Sequence, residues 1–178
     1  MSNAEKEAVE SLFRNGTSFD DLFDAFRFAL EKQIEDIDCY KILIANPCLN
    51  SNEVDLFIKK LVETIKGKAF EIYLWAGEVY FGSINLNNIS KSLEYFKLAF
   101  SIHNSSQPLH KAIDLYNVDF EIQTNNSVLK FVEENVEKVD DRGYLYDDLA
   151  NIYKQKGDNQ KYAKYRRLQE KFLKDKHQ

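Results

Sequence analysis

Acidic side chains stand side by side at Glu35-Asp36, Glu133-Glu134, Asp140-Asp141 and Asp147-Asp148, and two carboxylates sharing a cleft can serve as general acid and base. On a helix, however, adjacent residues point about 100° apart, so none of these pairs faces a single substrate. They read as surface charge. Cys39 and Cys48 lie nine residues apart across Asn46-Pro47, a spacing that fits neither a zinc knuckle nor a disulfide framework, and both are expected to be reduced and packed. His103, His110 and His177 are scattered rather than converging as metal ligands. A glycine-rich phosphate loop, a His-Glu-x2-His helix, a nucleophile elbow and a cysteine set beside a histidine are all missing from the sequence. The expectation is a chain without cofactor, metal or catalytic step.

The elements that carry these residues follow from composition. Of 178 residues, 44% are apolar, while six Gly and two Pro leave little material for hairpins. That balance predicts an all-α chain with enough apolar surface for one packed domain over 1–178. The longest uncharged apolar run, Ile42 to Ala45, is far below the roughly 20 residues that span a bilayer. The opening MSNAEKEAVE has no apolar segment of a secretory signal. A cytoplasmic location is expected, with no membrane partner.

Residues 5–14 read as a short helix closed at Asn15-Gly16 by a left-handed glycine. Ser18 caps the next one, with Asp20 and Asp21 at its positive end. Phe19, Leu22, Phe23, Phe26, Leu30, Ile34 and Ile37 then form an apolar stripe that continues to Asn46-Pro47, as one helix or as two broken near Glu35-Asp36. Ser51-Asn52-Glu53 caps a further helix that ends at Lys66-Gly67-Lys68. Beyond the pair at 73–102, a helix is expected from about His110 to Gln123. Thr124 to Ser127 is read as turn and cap, Val128 to Val139 as a helix, and 144–156 with 160–174 as a last pair.

Within the central stretch, Tyr73, Ala76, Gly77 and Tyr80 are followed by Ser92, Phe96 and Ala99. Small residues there let two helices approach closely, and the aromatics fill the groove left between them. Tyr80, Tyr116 and Tyr153 recur at 36 and 37 residues, with Ala76, Ala112 and Leu149 each four before a tyrosine, and Gly157-Asp158 follows the last at a turn. The pattern resembles the tetratricopeptide repeat (TPR), in which Trp-x2-Leu-Gly-x2-Tyr is followed by Ala-x3-Phe over about 34 residues. Ile113 departs from it at the glycine position. The resemblance implies a right-handed α-α superhelix of antiparallel hairpins: repeats at 68–104, 105–140 and 142–175, preceded by a degenerate helical pair at 17–66.

It also implies that the first helix of each hairpin lines a concave surface that binds a protein or peptide. The positions so implied are Glu71, Leu74, Glu78 and Phe81 in the first repeat, His110, Asp114 and Asn117 in the second, and Tyr144, Asp147, Asn151 and Lys154 in the third. Glu78 would repel a terminal carboxylate, so the family's use in holding chaperone C-termini is not expected here. Charge supplies a second reading. From Lys154 onward nine Lys or Arg oppose three acids, a net of +6, so with the whole chain at −5 residues 1–153 sum to −11. The basic last helix could dock on nucleic acid or on an acidic partner, although the acidic remainder argues against nonspecific nucleic-acid binding. A helical enzyme and a dimer formed through the aromatic end stay open as alternatives.

Overall fold

Among the described residues, ten α-helices and one 3₁₀ turn follow each other, with no strand. A computed structural model describes residues 3–82, 88–116 and 122–176. Contacts divide the chain into two compact units, 1–95 and 96–178, the boundary falling within one helix.

In the first unit, α1 (Asn3–Asn15) packs on α2 (Phe19–Glu31) and α3 (Ile37–Ile44). Gly16 does not close α1 in the left-handed region, since the described positive-φ glycines are Gly67 and Gly157. Its role is space: a Cβ there would sit 2.5 Å from Cδ2 of the buried Leu22. Ser18 caps α2 as expected, its hydroxyl accepting from the Asp21 amide at 3.2 Å. The long apolar stripe is two helices. Gln33 turns the chain at φ 55°, Asp36 caps α3, and the Tyr40 hydroxyl donates to the Ile34 carbonyl at 2.6 Å, fixing the break.

A capping box opens α4 (Ser51–Thr64), one residue earlier than the sequence suggests. The Asn50 side chain accepts from the Glu53 amide, and the Glu53 carboxylate accepts from the Asn50 amide at 2.8 Å. Asn46, buried in the preceding turn, donates to the carbonyls of Phe13 and Gly16 and ties that turn to the end of α1. The core is aromatic at its centre, Phe26 meeting Phe57 edge-on at 5.1 Å and Tyr40 at 5.9 Å. Cys39 lies within this core and burial pushes its thiol up to about 11, whereas Cys48, expected to be packed, is exposed at the loop. In α5 (Ala69–Gly82) and α6 (Ile89–Ile102) the small residues meet as predicted, with the Ser92 hydroxyl donating to the Gly77 carbonyl at 2.7 Å.

The second unit holds the rest of α6, then α7 (Gln107–Asp114), α8 (Ile122–Asn135), the 3₁₀ turn Val136–Lys138, α9 (Gly143–Gln155) and α10 (Asn159–Lys176). The last two form a tight antiparallel hairpin. Gly157 turns it at φ 73° and the Asp158 carboxylate caps α10 at the Lys161 amide. The middle repeat departs from expectation. Pro108 starts α7, but that helix stops at Asp114 instead of running to Gln123, ahead of a sequence rich in Tyr, Asn, Val, Asp and Phe, all middling or poor helix formers. Thr124 to Ser127, read as a turn, lies inside α8, because Asn125, Val128 and Leu129 are buried and packing overrides local preference. Tyr116 therefore follows a helix cap, whereas Tyr80 and Tyr153 sit buried inside α5 and α9.

Candidate functional site

Tyr80 and Tyr153 share a setting built from the same kinds of side chain. In the first unit, Asp55 on α4 accepts from the Tyr80 hydroxyl of α5 at 2.6 Å, from the Tyr95 hydroxyl of α6 at 2.5 Å and from the Lys91 ammonium at 2.8 Å. In the second, Glu133 on α8 accepts from Tyr153 of α9 at 2.9 Å, Tyr165 of α10 at 2.8 Å and Lys161 at 3.0 Å. The two tyrosine rings stack in each cluster, 5.5 Å apart at 15° for Tyr80 and Tyr95, and 5.8 Å apart at 10° for Tyr153 and Tyr165. One carboxylate thus ties three helices together, its own and the two of the hairpin that follows.

The electrostatics follow from the geometry. Burial pulls Asp55 upward, but donation from Lys91, Tyr80 and Tyr95 outweighs it and holds the carboxyl below its ordinary range. Glu133 behaves alike, burial being outweighed by Lys161, Tyr165 and Tyr153. Burial first, then the accepting carboxylate, pushes the hydroxyls of Tyr95 and Tyr165 well above the usual phenol value. The Asp55 hydrogen bond raises Lys91, and Lys161 is raised against the opposing effect of its own burial. Every member is moved away from neutrality, so these clusters hold fixed charge and fasten helices; none is poised to trade a proton near neutral pH.

Lys91 and Tyr95, like Lys161 and Tyr165, occupy Lys-x3-Tyr on the second helix of a hairpin. The two tyrosines of a cluster are 15 residues apart in the first unit and 12 in the second. Three more residues separate α5 from α6 than separate α9 from α10, which accounts for the difference. A search for Lys-x3-Tyr would have found the repeat from the sequence; the accepting acid, 25 residues before Tyr80 but 20 before Tyr153, would not have emerged that way.

The positions implied by the TPR resemblance fall into two sets, one in each unit. In the first unit, Glu71 pairs with Lys68 at 3.0 Å, Glu78 is half-buried, and Phe81 is 41% exposed at the end of α5. Leu74 is a correction: it is 8% exposed, an apolar side chain drawn into packing rather than left on a surface. In the second unit, half-buried His110 places Nδ1 3.7 Å from Asp148, and Asp114 is exposed at the last turn of α7. Asn117 lies outside the described residues.

Tyr144, Asp147, Asn151 and Lys154 step by three and four along α9, which places them on one strip. Tyr144 is 71% exposed, while Lys154 and Asn151 also face outward. Arg166 of α10 donates to both Asp147 and Asn151, and Asn151 donates to Asp147 at 3.2 Å. The polar part of the strip is therefore held in one arrangement, and the aromatic at its head is free to be covered. Among the described residues no three His, Cys, Asp or Glu side chains gather as a metal-holding group, and no helix is long and apolar enough to cross a membrane.

No protein-family model, curated protein or solved structure matches the chain.

Proposed function

We propose that this chain is a non-catalytic binding scaffold of TPR-like hairpins stacked in a right-handed array, which holds a protein or peptide on the outward strip of its first helices. The observation that supports this most directly is Tyr144, exposed to 71% at the head of a strip whose Asp147 and Asn151 are already positioned by Arg166. A rigid aromatic offers a large contact area for little entropy, and polar neighbours fixed in advance need no ordering when a ligand arrives. A peptide would cover the ring and exchange hydrogen bonds with the Asn151 amide and the Asp147 carboxylate. The reading needs no cofactor.

The test is a random peptide library panned against the full chain, with the enriched peptides then measured on wild type and on Tyr144→Ala combined with Asn151→Ala. Both substitutions sit at exposed positions and leave the core intact. Loss of an interface aromatic plus a polar contact predicts about 2–4 kcal/mol, thus at least about thirtyfold weaker binding. Unchanged affinity for every enriched peptide rules this surface out as the binding site.

A further inference from the structure

The hairpin of α9 and α10 engages several of its cations internally, Lys164 and Lys176 over the Tyr165 and Phe172 rings among them, and leaves others without a partner among the described residues. On α10, Lys161 is spent on Glu133 and Arg166 on Asp147. Arg167, Lys171 and Lys174 have no ion pair, hydrogen bond or ring contact among the described residues, and with Lys164 they step by three, four and three along the helix. All four are exposed; Arg167 and Lys174 lie on the face turned away from buried Tyr165, Lys171 borders a hollow also lined by Glu137 and Asp140, and the Lys164 ammonium lies 4.9 Å from the centre of the Tyr165 ring. At about 1.5 Å per residue they form a line about 15 Å long.

We propose that this line is a docking face for an acidic helical segment of a partner protein, separate from the strip on α9. A helix with carboxylates at i, i+3, i+7 and i+10 has the same rise and the same angular steps, so four opposite charges come into register when the two helices lie antiparallel or parallel. The width of the line favours a helix over a nucleic acid. It is one side chain across, Glu170 lies beside it, and its nearest exposed apolar group is Leu173 rather than a stacking aromatic. Leu173, 46% exposed at the edge of the line, supplies an apolar contact for the partner helix.

The probe is a capped, fluorescein-labelled alanine-based helix with glutamates at those four positions, compared with an isomer carrying the same four glutamates spread around its circumference. Anisotropy is read on the full chain at about 50 mM salt, where exposed charge pairs are weakly screened. The aligned peptide is expected to bind more tightly than the isomer and to weaken about tenfold in Arg167→Gln/Lys171→Gln/Lys174→Gln, from three pairs of about half a kcal/mol each. Lys59→Gln/Lys60→Gln/Lys66→Gln, which removes equal charge at exposed positions of the first unit, should change binding less than about twofold. Circular dichroism checks that both triples stay helical. The proposal is overturned by equal binding of the two peptides, by equal loss in the two triples, or by tighter binding of an oligonucleotide of matched charge. Self-association that depends on the same three cations overturns it as well, by making a second copy the occupant. Because Tyr144 and Asn151 are untouched, failure here leaves the α9 reading standing, and the converse also holds.

Discussion

At the scale of residues, Asp55 and Glu133 are the side chains on which most hangs. Their side chains are 29% and 23% exposed, and each accepts from two tyrosines and a lysine. Asp55→Asn and Glu133→Gln should each cost about 1.5–3 kcal/mol, because an amide in that place presents donors to donors and strands the lysine. Tyr95→Phe, which removes one donor and keeps the ring stack, should cost about 1 kcal/mol. Chemical denaturation of each variant checks both values. The pH dependence has a definite sign. Both carboxyls lie lower in the folded chain than in the unfolded one, so their stabilisation is present above the unfolded value of about 4 and is lost as pH falls through the folded values. The tyrosines are raised on folding, so theirs is present below about 10 and lost as pH rises beyond it. The urea midpoint of wild type should fall steeply below about pH 4, and the Asp55→Asn/Glu133→Gln double variant should show a flatter acid limb.

At the scale of elements, the hairpin is the unit that matters, and its turn is the place to perturb it. Gly157 sits at φ 73° with open space where a Cβ would stand, so Gly157→Ala meets strain without a clash and should cost about 1 kcal/mol. Gly16→Ala is a packing test instead, pressing on Leu22, and should cost about 1–3 kcal/mol. Thermal melts of the two variants check the order. The helices on either side were legible wherever apolar periodicity and a cap agreed, as at Ser18 with α2 and at Gly157-Asp158 between α9 and α10. They were illegible where packing overrode local preference. Thr124 to Ser127 have the composition of a turn yet form part of α8, and Tyr116 keeps the repeat spacing yet lies past the end of α7. Spacing can be counted in a sequence, but whether the residue there is still helical depends on what buries it. The α9 positions came from the TPR resemblance rather than from periodicity; Tyr144, Asn151 and Lys154 face outward, while Leu74, implied in the same way on α5, is buried. Arg166, which joins Asp147 to Asn151, could not be read, because the pairing of two helices sets it.

At the scale of the whole molecule, a chain with a net charge of −5 carries a net positive charge in residues 154–178 and a net negative one in 1–153, so salt separates its candidate partners. Peptide binding through an aromatic anchor should change little between about 50 and 200 mM salt, whereas phosphate-driven binding should fall by orders of magnitude. The proposed binding role rests on the strip headed by Tyr144, and photo-crosslinking addresses it most directly. A benzophenone amino acid is placed at position 144, or in a control at Leu56, also exposed at 49% on α4, and illuminated with a peptide selected on the wild-type chain. Covalent capture from position 144 and little from position 56 is the predicted result. Capture from position 56 with none from position 144 would contradict it.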